Sequence, residues 1–229
     1  MNIAPVVIQV NPAPVPATPT GVMATAGDGH VTLNWDSSVA DGYNVKRAII
    51  TGGPYETVTN GLLSISFTDS SVVNGTTYYY VVTAFNTYGE SSNSMEVSAL
   101  PLSPYQQWQI QYFDSLTNPL GATNMDADGD GQSNLQEFLA GTDPTNPATA
   151  FRIVSVVGTG NDVLVSWLTG VGKTNALQVT AGADSGVYSS NGFADLFIVT
   201  NTTGSVTNYS DSGAATNSPA RYYRVRLVP

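Results

Sequence analysis

From residue 31 the chain alternates apolar with polar side chains in short runs. Val31, Leu33 and Trp35 share one face of VTLNW, Tyr43 and Val45 one face of YNVKR, and Tyr78, Tyr80, Val82 and Ala84 one face of YYYVVTA. A period of two sends successive side chains to opposite faces of a strand, so each run predicts a strand with one buried face. Asp28-Gly29, Gly52-Gly53-Pro54 and Asn74-Gly75 supply turn chemistry between the runs, and short strands at this spacing predict an antiparallel sandwich. After Pro104 the period changes. Tyr105, Trp108, Tyr112, Phe113 and Leu116 recur at helical spacing, and a second brief helix through Leu135, Phe138 and Leu139 is expected to end at Gly141 and Pro144.

Strands return from residue 151, and they repeat the first set. VLVSW places Val163, Val165 and Trp167 where VTLNW has Val31, Leu33 and Trp35. Phe67-Thr68-Asp69-Ser70 precedes Tyr80 as Tyr209-Ser210-Asp211-Ser212 precedes Tyr223, which puts Tyr223, Val225 and Leu227 at the inward places of Tyr80, Val82 and Ala84. The copy is incomplete: nothing after Tyr223 corresponds to the last strand of the first set, through Met95 and Val97. A missing strand leaves backbone groups unpaired on its neighbour. Residues 5–10 at the N-terminus are a spare β-prone run, uncharged, with Val6, Ile8 and Val10 on one face; Pro12, Pro14, Pro16 and Pro19 stiffen the connector behind it. That strand is expected to complete the second sandwich along residues 222–227, either in a neighbouring subunit or by folding back within its own chain.

The most specific chemistry lies in residues 126–137, DADGDGQSNLQE. A hard cation takes oxygen ligands, and an EF-hand loop supplies them from positions one, three, five, seven, nine and twelve. Those positions are Asp126, Asp128, Asp130, Gln132 through its backbone carbonyl, Asn134 directly or through water, and Glu137 as a bidentate carboxylate. Gly131 stands at position six, where the chain turns into a conformation that side chains resist. The expected ion is calcium, and its expected role is to brace the fold. A sensor pairs two such loops and carries a Met-rich groove, whereas this chain has one loop and four Met.

Residues 17–101 resemble a fibronectin type III domain, on Pro19, Trp35, Tyr43, the Gly75-Thr-Thr-Tyr78 approach and the Ala84-Phe-Asn86-Thr-Tyr-Gly89-Glu-Ser turn. The resemblance implies a core role for Trp35 and a tyrosine corner at Tyr78. Residues 105–147, closing at Asp143, resemble the thrombospondin type 3 and dockerin calcium segments of secreted bacterial proteins, without the dockerin duplication. The expected fold is therefore mainly β, with two fibronectin III or immunoglobulin-like sandwiches joined by a short helical calcium-binding segment. The expected divisions are residues 1–16 (strand and connector), 17–101, 102–150 (calcium segment) and 151–229 (incomplete sandwich).

Composition narrows the function. Of 229 residues only 10% are charged, net −10, and seven Lys plus Arg do not make the basic stripe that nucleic acid requires. Without Cys there are neither disulfides nor thiol chemistry, and no apolar run is long enough to span a membrane. His30 sits beside a hairpin turn, and no nucleophile elbow, phosphate loop or zinc motif appears, so the chain reads as non-enzymatic. Two readings remain. One is an extracellular structural or adhesive protein whose identical subunits join head to tail by strand donation into a fibre. The other is an accessory or carbohydrate-binding region of a larger secreted polysaccharide-degrading enzyme, with a glycan or cell-surface partner; against it, Tyr79 and Tyr222 are expected to point outward singly, with no row of exposed aromatics.

Overall fold

The computed structural model describes residues 14–182, 185–201, 206–216 and 220–228. The donor strand expected at residues 5–10 lies outside the described residues. The chain divides into two compact units, Met1–Gln107 and Trp108–Pro229.

The first unit holds strands β1 (Met23–Gly27), β2 (His30–Asn34), β3 (Gly42–Ala48), β4 (Glu56–Leu62), β5 (Ser66–Asp69), β6 (Tyr78–Asn86), β7 (Gly89–Glu90) and β8 (Val97–Ala99). One sheet runs β1-β2-β5; the other runs β4-β3-β6, with both β7 and β8 on the far side of β6. The alternation read from the sequence becomes the core: Val31, Leu33, Val45, Tyr80, Val82 and Ala84 are fully buried, and Trp35 meets the Tyr43 ring edge-on at 5.5 Å. Tyr78 is also buried, and its hydroxyl accepts the backbone N–H of Val73 at 3.0 Å, as a tyrosine corner does.

The second unit contains most of α1 (Pro104–Phe113), then α2 (Asn134–Ala140), β9 (Ile153–Thr159), β10 (Asp162–Leu168), β11 (Thr174–Gly182), β12 (Ala194–Thr200), β13 (Val206–Asp211) and β14 (Ala220–Leu227). Its sheets run β9-β10-β13 and β12-β11-β14. The repeat holds residue by residue in the register. Leu33 lies opposite Phe67 and Val31 opposite Asp69, as Val165 lies opposite Tyr209 and Val163 opposite Asp211. Tyr43, Val45 and Arg47 pair with Ala84, Val82 and Tyr80, while Asn175, Leu177 and Val179 pair with Leu227, Val225 and Tyr223. Both sandwiches also tie their sheets together at one acidic residue. Asp69 accepts from Tyr80 at 3.0 Å and Arg47 at 2.7 Å; Asp211 accepts from Tyr223 at 2.8 Å and Arg221 at 2.6 Å.

The helical segment clusters with the second sandwich. Gln132 exchanges hydrogen bonds with the Phe151 backbone, donating to its carbonyl at 2.8 Å and accepting its N–H at 3.2 Å. Gly170 N–H donates to Ala140 O at 2.9 Å, and Lys173 reaches Phe138 O at 3.3 Å. Helix α2 starts at a capping box between Ser133 and Gln136 and stops at Gly141 in the left-handed region, φ 69°. Its buried face is Asn134, Glu137 and Ala140, whereas Leu135 and Leu139 are exposed. This helix turns two polar side chains inward, and the loop preceding it supplies the reason.

Candidate metal centre and an aromatic face

Asp126, Asp128 and Asp130 are two residues apart in a loop that curls back on itself, and each brings one carboxylate oxygen within 4.8 Å of the other two. Backbone N–H groups set this geometry. Gly129 and Gly131 donate to Asp126 Oδ1 and Oδ2, each at 2.8 Å; Asp130 donates to Asp128 Oδ1 at 3.2 Å and Gln132 to Asp130 Oδ1 at 2.8 Å. Gly131 at φ 94° makes the turn that lets them do so.

The remaining acceptors stand without donors. Asp128 Oδ2, Asp130 Oδ2, Asn134 Oδ1 and Glu137 Oε2 are all buried and have no hydrogen-bond partner. Glu137 is fully buried; its other oxygen accepts from Thr142 at 3.3 Å, and it is not one of the trio within 4.8 Å. Burial, followed by the charges of Asp128 and Asp130, pushes its carboxyl up to about 7. Burial raises Asp128 as well, reinforced by the neighbouring Asp130 and Asp126 charges. Buried carboxylate oxygens that repel one another and lack donors are unfavourable unless a cation joins them. The donor set is all oxygen, which fits a hard divalent cation and not a thiophilic one.

Two residues carry structural duties that spacing alone does not reveal. Asn134 spends its amide N–H groups on the carbonyls of Leu120 and Ala122, at 2.6 and 2.8 Å, so only its oxygen remains for a ligand role. Gln132, whose backbone carbonyl occupies position seven, uses its side chain to anchor Phe151. Asp143 closes the segment as a turn former, accepting from the backbone and hydroxyl of Thr145 at 3.0 and 2.7 Å.

A second constellation lies on the outer face of the β12-β11-β14 sheet. Tyr222 does not stand alone there: Tyr188, 48% exposed, stacks on it with centroids 4.6 Å apart, and Phe193 meets Tyr188 edge-on at 5.7 Å. The Arg224 guanidinium lies 4.2 Å from the Phe193 ring centroid and donates to Gln178 at 2.7 Å. Gln178 donates to Asp195 at 2.6 Å, and Arg226 grips the same carboxylate through two nitrogens, at 3.1 and 2.6 Å. The aromatic residues come from the β11–β12 connection and from β14, so strand pairing gathers what the sequence scatters. Among the described residues no helix is long and apolar enough to cross a membrane.

No protein-family model matches the chain. It is similar to an amylopullulanase of Thermoanaerobacterium saccharolyticum, 38% identical over 91 residues, which is 39% of this chain and 7% of that enzyme. An amylopullulanase of Thermoanaerobacter thermohydrosulfuricus is 42% identical over 116 residues, 49% of this chain and 8% of that enzyme. The chain thus spans less than a tenth of the length of these curated relatives. Among solved structures, a Fn3-like protein from Clostridium thermocellum is 38% identical, covering 38% of this chain and 96% of that one, with a TM-score of 0.35. A beta-1,2-glucanase from Parabacteroides distasonis is 24% identical, covering 44% of this chain and 16% of that one, again with a TM-score of 0.35.

Proposed function

We propose that the chain is a non-catalytic accessory region of a larger secreted polysaccharide-degrading enzyme, with a calcium ion bracing its second unit. The observation that carries this reading is the 38–42% identity to short stretches of amylopullulanases. It favours the accessory role over the fibre-forming role that the sequence also permits. The relatives' name points to pullulan and starch-type α-glucans as the polymer class, and extracellular work on such polymers agrees with a polar, weakly charged surface.

The outer face with Tyr188, Phe193, Tyr222 and Arg224 provides the chemistry for holding a glycan. A sugar ring stacks its C–H face on an exposed aromatic, while Arg224, Gln178 and Asp195 supply planar hydrogen-bonding groups beside it. Calcium would be held by Asp126, Asp128 and Asp130, the Gln132 carbonyl, Asn134 and Glu137. It would neutralise the clustered carboxylates and so keep α2 seated against the second sandwich.

Affinity electrophoresis through gels containing pullulan, soluble starch, xylan or a soluble cellulose derivative tests this reading. Retardation by the α-glucans, lost in Tyr188→Ala while the fold is retained, is the expected result. Equal mobility in every gel would leave the chain without a glycan-binding role.

A further inference from the structure

We propose that the turn at residues 118–122 is an outer wall of the metal centre, coupled to the cation through the Asn134 side chain. The inference rests on the calcium part of the reading above and goes beyond it, because it gives a part in ion binding to residues that are not ligands.

Asn134 is fully buried, and its amide is polarised by its surroundings. The carbonyls of Leu120 and Ala122 stand 2.6 and 2.8 Å from Nδ2. Carbonyl oxygens accept and never donate, so only the NH2 group can face them, and Oδ1 is turned away from them. There Oδ1 is buried and unpartnered, as are Asp128 Oδ2, Asp130 Oδ2 and Glu137 Oε2. Glu137 is itself fully buried, which separates this arrangement from an exposed acidic turn. Donation from Nδ2 to two carbonyls shifts electron density onto Oδ1 and makes it a stronger ligand. Groups that hold the far end of a ligand side chain fix its orientation and its basicity. Leu120 and Ala122 do this for Asn134 with their backbones.

The turn is held from behind by α1. Asn118 caps it: its Oδ1 accepts the Leu120 N–H at 3.1 Å, and its Nδ2 donates to the Phe113 carbonyl at 3.1 Å. The Ala122 N–H closes the turn on Pro119 O at 3.3 Å. Gly121 is buried against the helix, where a Cβ would lie 2.9 Å from Gln109 Cγ and 3.0 Å from Phe113 Cδ2. Asn118 thus anchors the turn, the turn presents two carbonyls, and Asn134 carries their hold to the acidic loop. If seating the turn tightens the cation, the cation must tighten the turn by the same factor. The backbone supplies a parallel hold, with Asn134 N–H on Met125 O at 2.7 Å and Leu135 N–H on Thr123 O at 3.1 Å. A test must therefore isolate the side-chain route.

Calcium titrated by isothermal calorimetry into residues 1–229 as wild type, Asn118→Ala, Asn134→Ala and the double variant does so. Asn118→Ala removes no ligand and no charge, yet it is expected to weaken calcium binding by about tenfold. In the Asn134→Ala background the same change should shift affinity by less than about twofold, the limit for independent sites. An unchanged affinity in Asn118→Ala, or the same loss in both backgrounds, overturns the proposal. Hydrogen exchange at the Leu120 and Ala122 amides of the unaltered chain needs no variant. Calcium is expected to slow it relative to chelator, and equal rates overturn the coupling whether or not the variants fold. If the unaltered chain takes up no calcium, the calcium part of the proposed function falls together with the coupling. Uptake with an unaltered affinity in Asn118→Ala keeps the ion and removes only the coupling.

Discussion

Trp167 donates its indole N–H to Asn175 Oδ1 at 2.5 Å, and Asn175 stands at the place where the first sandwich carries Tyr43. The two residues are buried together, and Asn175 also reaches Thr169 and the Lys173 carbonyl. Asn175→Ala strands the indole donor and opens a small void, so it is expected to cost about 1–3 kcal/mol. Urea unfolding followed by tryptophan fluorescence in a Trp35→Phe, Trp108→Phe background, where Trp167 is the one remaining indole, measures the loss, and an unchanged midpoint would show that the pair contributes nothing. Trp35 Nε1 already lacks a partner, so Tyr43→Phe should not create a comparable defect at the indole nitrogen.

Strand phase was legible in the sequence because a two-residue period leaves little freedom: once Val31, Leu33 and Trp35 face inward, Tyr80 and Val82 must meet them. The repeat was legible because Phe67–Asp69 and Tyr209–Asp211 keep the spacing that aligns each acid with its tyrosine. The clustering of Asp126, Asp128 and Asp130 was legible because they lie two residues apart in one tight loop. What escaped depends on long-range pairing. Asn134 hydrogen-bonds to carbonyls twelve and fourteen residues away, and the polar inward face of α2 follows from a loop that the helix pattern does not encode. Tyr188 and Tyr222 stack only because the β11–β12 connection folds over the sheet.

Chelation should loosen the second unit and spare the first. A calcium ion held in the acidic loop, with free calcium about a hundredfold above its dissociation constant, would stabilise by about 2.7 kcal/mol. Calorimetry with calcium and with chelator should therefore separate the two transitions, with only the one belonging to residues 108–229 moving. Glu137→Ala should abolish the difference, whereas Asp143→Ala should leave it intact. Identical traces in calcium and chelator would remove the ion from the account.

Gly170→Ala should pry α2 from the sandwich. A Cβ at this position would come within 2.2 Å of Gly141 O and 2.6 Å of Ala140 O, and both contacts are backbone. Overpacking of this kind costs about 1–3 kcal/mol. Limited proteolysis between residues 121 and 141 should accelerate in the variant, and an unaltered cleavage rate would mean that the seam is not tight.

Acid should weaken the first sandwich through Glu90. The Thr83 hydroxyl, the Lys46 ammonium and the Asn44 amide hold its carboxyl at about 2, below the ordinary 4.5. A carboxyl depressed in the native state favours folding above the unfolded value, and that contribution disappears as pH falls from 4.5 towards 2. Asp69 adds to the same trend: burial opposes ionisation, but hydrogen bonds from Ser71, Arg47 and Tyr80 lower its pKa overall. Glu90→Gln should flatten the fall in melting temperature across this window without abolishing it, and an unchanged slope would exclude Glu90 as a contributor.

The Gly170–Ala140 seam also decides where the chain tolerates a cut. A graft that begins at residue 151 would leave the Gly170 N–H without its acceptor and deprive the Phe151 backbone of Gln132, so the transplanted β-strands would arrive with raw edges. A graft that begins near residue 102 carries α1, the acidic loop and α2 along with the strands they cap. The loop and its sandwich therefore move as one piece, within the compact unit Trp108–Pro229.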